Sequence, residues 1–140
     1  MDIKTFMLPP VAGETQEVII SKRFKGADGK PAPFIIRAID QETNDRLVKK
    51  CTTRRVKNGV SVQEVDGEKL ARLLVVECTV EPNFRNTELC DFYKTVDPLD
   101  VPGRMLSVGE FQRLSRAIME LNGTLDAEDF SEAMDEAKNL

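Results

Sequence analysis

The chain has 140 residues, 41% hydrophobic and 31% charged, with a formal net charge of -4 and no histidine. That length fits one domain able to bury a core without staples. The acidic balance argues against a general nucleic-acid binder, which needs a basic field to displace counterions from phosphates. The missing histidine removes the commonest general base and metal ligand, and the usual activator of a nucleophilic Ser or Cys. Three cysteines, Cys51, Cys78 and Cys90, are widely spaced with no C-x-x-C pair, which excludes a zinc knuckle and fits reduced thiols in a cytoplasm. The start carries no long apolar signal region, and no apolar run approaches the ~20 residues needed to cross a bilayer.

Residues 1–16 read as an arm. Phe6, Met7 and Leu8 form an apolar cluster just before Pro9-Pro10, which blocks regular structure. Such a cluster either packs back onto the domain or is offered to a partner. Residues 17–140 are expected to form a single α+β domain, with helices concentrated in 66–140.

The run Glu17 to Phe24 is rich in β-branched and aromatic residues and predicts a strand. Turn chemistry follows from Gly26 to Pro31, and Phe34 to Ile39 predicts a second strand, antiparallel to the first. Gly26-x-x-Gly29-Lys30 has the wrong spacing for a phosphate loop, and Pro31 stands where Ser or Thr is needed. The cations Lys22, Arg23, Lys25, Lys30 and Arg37 in this region are expected on a solvated sheet face.

Asp40 is a good N-cap for a polar helix to about Lys50, anchored by Leu47 and Val48. Thr52 to Val56 and Val60 to Val65 flank Asn58-Gly59, a strong hairpin signal. Asp66 caps the next helix, where Leu70, Leu73, Leu74 and Cys78 recur at helical spacing and Val75 and Val76 widen the stripe. This helix is expected to be central, with Cys78 a core residue rather than a nucleophile. Pro82-Asn83 interrupts the chain, and Asn86 or Thr87 starts a short helix bearing Leu89, Phe92 and Tyr93. Asp97 to Gly103, with two prolines, is expected to be a loop, either hinge or connector. Ser107-Val108-Gly109-Glu110 has the form of a capping box, and Leu106 and Phe111 hold the positions of a hydrophobic staple. Phe111, Leu114, Ile118 and Leu121 make one apolar face, and Asn122-Gly123 ends the helix. A last helix is expected from about Asp126, carrying Phe130, Met134 and Ala137. Its acidic side lacks the D-x-D-x-D-G pattern of a calcium loop.

No catalytic, cofactor or metal site emerges from these patterns. In order along the chain, several blocks nevertheless resemble one family. They are Ser21-Lys22-Arg23-Phe24, Gly29-Lys30-Pro31, Phe34 to Ile39, and Cys51-Thr52. Val80-Glu81-Pro82-Asn83-Phe84 and Glu88-Leu89-Cys90-Asp91-Phe92-Tyr93 follow. Met105-Leu106 with Gly109-Glu110-Phe111, then Leu121-Asn122-Gly123 and Glu136-Ala137-Lys138-Asn139, complete the series. Together they resemble the tail assembly chaperones of PBSX-like prophages and related long-tailed phages of Gram-positive bacteria. The family usually has Trp where Phe34 stands, and often Gly where Lys94 stands.

The resemblance implies a non-enzymatic role in the host cytoplasm: holding the tape measure protein soluble while the tail tube protein polymerises around it, then leaving before the particle is finished. Self-association in rings or filaments is compatible with the family. The alternative is a structural tail or connector component of the particle. A small enzyme or regulator is disfavoured, because the best-defined helix sets only Arg113 and Arg116 against Glu110 and Glu120. For partner binding, the sequence nominates Phe6, Met7 and Leu8 of the arm together with Phe130 and Met134, as an apolar groove of the last two helices flanked by the arm.

Overall fold

In a computed structural model, described for residues 1–124, the chain builds an α+β architecture. A three-stranded antiparallel sheet is made by β1 (Thr15–Val18), β2 (Phe34–Arg37) and β5 (Thr79–Glu81) in the order β1-β2-β5. A separate two-stranded ribbon pairs β3 (Thr52–Lys57) with β4 (Val60–Val65). The helices are α1 (Gln41–Lys50), α2 (Gly67–Cys78), α3 (Thr87–Phe92), α4 (Val101–Met105) and α5 (Val108–Leu121).

Local signals set most boundaries. The carboxylates of Asp40 and Asp66 accept the backbone N–H groups of Thr43 and Lys69, which opens α1 and α2 where the sequence places them. Asn86 does the same for α3 through Leu89 N–H. At α5 both halves of the capping box form. In the ribbon turn Asn58 and Gly59 take φ of 52° and 77°, the left-handed pair a tight hairpin requires.

The central strand alternates: Phe34 and Ile36 are buried, while Ile35 and Arg37 are half-buried. The buried pair joins Val75, Val76 and Cys78 of α2, Phe84, Val101, and Leu114 and Ile118 of α5 in the main core. Leu73 of α2 closes a second cluster with Leu47 and Cys51, so α2 lies between the two, as its broad apolar stripe predicts. Leu106 and Phe111, the staple positions, both pack at the main core.

Several expectations are corrected. The first strand begins at Thr15 and ends at Val18 rather than running to Phe24. Beyond Val18 the chain is drawn off the sheet: Ile20 is buried, its carbonyl accepts from Arg113 Nε at 2.7 Å, and Arg23 is held by α5. The second strand ends at Arg37, after which Ile39 N–H donates to the Asn122 side chain at 2.8 Å. Thr79–Glu81 forms β5, which pairs with β2 and was not anticipated after a long apolar helix. The 97–103 stretch is no loop. Pro98–Asp100 is a 3-10 turn and Val101–Met105 is α4, with Val101 and Pro102 buried. Both prolines sit at helix starts, where the missing N–H costs no bond.

The basic cluster is not a uniform solvated face. Lys22, Lys25 and Lys30 are exposed, but Arg23 binds Glu110 and Arg37 binds the Glu77 carbonyl at 2.8 Å. Of the expected arm, Gly13 to Gln16 join the sheet beside β2, while residues 1–12 are exposed and do not pack back onto the domain. The arm forms a 3-10 turn at Ile3–Phe6, and Phe6, Met7 and Leu8 are 64%, 71% and 78% exposed. Lys94 adopts φ of 57°, a conformation that glycine takes without strain and other residues rarely adopt.

Candidate protein-binding cleft

The site is an apolar cleft of about 670 Å³ where the sheet, α3 and α4 meet. Each wall follows from local structure. Phe34 enters from the start of β2, and the Phe24 ring packs on it with centroids 5.5 Å apart. The 26–31 turn folds the intervening chain over, with Gly26 N–H donating to Lys30 O at 2.9 Å, and this brings Ala32 and Pro33 to the rim. After β5, a cis Glu81–Pro82 peptide and Asn83 carry the chain into α3. There Leu89 and Phe92 face the cleft, and Met105 at the end of α4 closes it.

Phe92 is 76% exposed although it is aromatic, and it meets its neighbour Tyr93 edge-on. The two charged lining residues are both acidic, Glu81 and Glu88. An open apolar floor with acidic groups at its edge can grip an apolar side chain and pair with a nearby cation.

Behind the cleft an ion pair between half-exposed Arg23 and buried Glu110 locks the loop to α5. Glu110 accepts from Arg23 Nε and Nη2, both at 2.8 Å, and from Ser107 N–H at 2.8 Å, and its side chain is only 4% exposed. Arg23 Nη2 also donates to Met105 O at 2.6 Å and its guanidinium lies over the Phe24 ring at 4.3 Å. The Arg23 bond, then the Ser107 N–H, then Ser21 hold the Glu110 carboxyl well below the usual carboxylate range. The pair therefore fixes two cleft residues, Phe24 and Met105, from behind.

Elsewhere the chemistry is structural. All three cysteines are buried, and burial pushes the Cys78 thiol up to about 11. Among the described residues no group of three or more Cys, Asp or Glu could hold a metal ion, and no helix is long and apolar enough to cross a membrane.

Of the residues nominated for partner binding, Phe6, Met7 and Leu8 stand together on the exposed arm and line no part of the cleft. Phe130 and Met134, with the helix expected from about Asp126, lie outside the described residues. The cleft itself was missed, although a signal existed. All of its lining residues except Ala32, Pro33 and Asn86 belong to blocks on which the family resemblance rests.

Comparison with known proteins agrees with that convergence. Residues 3–138 match the model of the phage XkdN-like tail assembly chaperone protein family. The chain is similar to an uncharacterized protein, YqbN, of Bacillus subtilis (strain 168), with 42% identity over 96% of this chain and 92% of the relative. It is also similar to the phage-like element PBSX protein XkdN of the same organism, with 37% identity over 96% of this chain and 93% of the relative. The crystal structure of the protein YqbN superposes with a TM-score of 0.73 at 38% identity, over 90% of this chain and 98% of that one. The chain belongs to the XkdN-like family of phage tail assembly chaperones.

Proposed function

We propose that this chain acts without catalysis, in the cytoplasm of the host bacterium, by covering an apolar segment of the tape measure protein until the tail tube assembles around it. The observation that carries the reading is the cleft: an open apolar surface built largely from the blocks on which the family resemblance rests. A long helical protein with an exposed apolar stripe aggregates unless that stripe is covered. A helix laid into an apolar groove is a standard solution, with anchors on one helical face entering the pocket. The acidic rim at Glu81 and Glu88 favours a segment whose apolar face is flanked by Lys or Arg.

The test is co-expression of the phage's tape measure protein with the chain, followed by solubility and pull-down measurements. The wild-type chain is expected to keep the tape measure protein soluble and to co-purify with it. Phe92→Asp, at an exposed position, is expected to fold and to lose most of the capture. Normal capture by a folded Phe92→Asp protein would remove the cleft from the mechanism. Stoichiometric amounts of the chain in purified tails would overturn the chaperone reading in favour of a structural component.

A further inference from the structure

We propose that, without cargo, the cleft of one protomer is filled by the N-terminal arm of a second copy of the chain. Each half of this contact is left uncovered by the described residues. The arm presents a 3-10 turn at Ile3–Phe6. In that helix residues three apart eclipse, so Ile3 and Phe6 form a single two-residue apolar knob. Both are exposed, at 71% and 64%. The cleft is open, apolar and of about 670 Å³, within the ~300–1,000 Å³ of pockets that enclose a compact ligand.

Charge agrees with the pairing. Lys4 is exposed within the knob and is the cation that can meet an acidic edge, while Asp2 accepts from Lys4 N–H at 3.0 Å. The cleft edge supplies Glu81 and Glu88.

The geometry points to a second copy rather than the same one. The arm is rooted at Gly13, whose N–H donates to Ala38 O at 3.0 Å, beyond the Arg37 end of β2. The cleft lies at the Phe34 end, since β1 and β2 pair Thr15 with Arg37 and Val18 with Phe34. Pro9-Pro10 stiffens the segment between root and knob, because each ring fixes φ, and carries the knob outward instead of back across its own sheet. Donor and acceptor surfaces differ, so the contact closes a reciprocal pair or propagates head to tail. The inference stands on the arm and cleft alone. Where the tape measure reading also holds, arm and cargo compete for one seat.

Analytical ultracentrifugation over a concentration series tests it. Wild type is expected to reach the mass of two or more protomers. Phe6→Asp, which spoils the knob, and Phe92→Asp, which spoils the cleft, are each expected to weaken association about 30-fold or more, as loss of a buried aromatic anchor does. An equal mixture of the two is expected to form a dimer, because the intact arm of one variant meets the intact cleft of the other. Both positions are exposed, and circular dichroism checks the folds. Deletion of residues 1–8 and Glu88→Lys replace either variant that misfolds. A wild type monomeric throughout, a Phe6→Asp protein that associates normally, or a mixture that stays monomeric would each overturn the proposal. Phe6→Asp should still capture tape measure protein, which separates failure of this contact from failure of the cargo reading.

Discussion

Removing the charge from Glu110 while keeping its shape isolates the ion pair behind the cleft. The carboxylate accepts three N–H bonds at 2.8 Å and is nearly excluded from water. Glu110→Gln preserves the side-chain length and a capping-box residue type. It removes the attraction between two opposite charges, reduces the Ser107 N–H bond from about 1.5–3 kcal/mol to the neutral range of about 0.5–1.5 kcal/mol, and turns one acceptor into a donor that faces other donors. Arg23 is half-exposed, so solvent screens its part of the attraction. The expected loss at pH 7 is about 1–2 kcal/mol, read from urea unfolding midpoints by circular dichroism. The pH dependence gives an independent check. The folded carboxyl titrates below its unfolded value, so its stabilisation is complete above the unfolded pKa of about 4.3 and drains as pH falls. The drain is at most about 1.4 kcal/mol per pH unit. The gap between wild type and Glu110→Gln should therefore be widest at pH 7 and largely closed at pH 3. Equal midpoints at pH 7, or a gap unchanged at pH 3, would refute the reasoning.

Other outcomes follow from particular positions. Leu114→Ala empties a fully buried site in the main core and should cost about 2–5 kcal/mol in calorimetric or chemical unfolding, and a cost under about 1 kcal/mol would misplace the α5 face. Lys94→Gly relieves a left-handed non-glycine residue. The relief of about 1–2 kcal/mol exceeds the added unfolded-chain entropy of about 0.4–1 kcal/mol, so the melting temperature should rise. Arg104 bonds only backbone carbonyls there, Tyr93 O and Lys94 O, and keeps both in the variant. A thiol reagent at pH 8 should find no rapidly reacting cysteine in the native protein and three after unfolding. A fast native thiol would contradict the burial of Cys51, Cys78 and Cys90.

What could be read from the chain alone was local chemistry. Asp40, Asp66, Ser107 with Glu110, and Asn58-Gly59 each act within about four residues, and each forms the cap or turn its sequence announces. Long-range pairing left no such mark. Arg23 and Glu110 are 87 residues apart, and their bond is what pulls the 19–24 run off the expected strand. Thr79 and Val80 extend an apolar stripe and become a strand only because β2 has an edge to offer. The prolines of the 97–103 stretch read as breakers, yet serve as helix starts over a buried Val101. The arm was legible as an apolar cluster, while its exposure depends on what the rest of the chain declines to cover. The cleft was legible only through the family blocks, because it joins four separate segments, each of which reads as ordinary core or connector.

The β3–β4 ribbon stands apart from these interactions. Its strands are largely exposed, and none of its residues lines the cleft. Lengthening a loop costs little closure entropy, about 0.6 kcal/mol per doubling. The Asn58-Gly59 tip is therefore a natural place to graft a fluorophore or an affinity peptide. Such a handle would let both proposed occupants of the cleft be followed in real time without touching either the arm or the pocket.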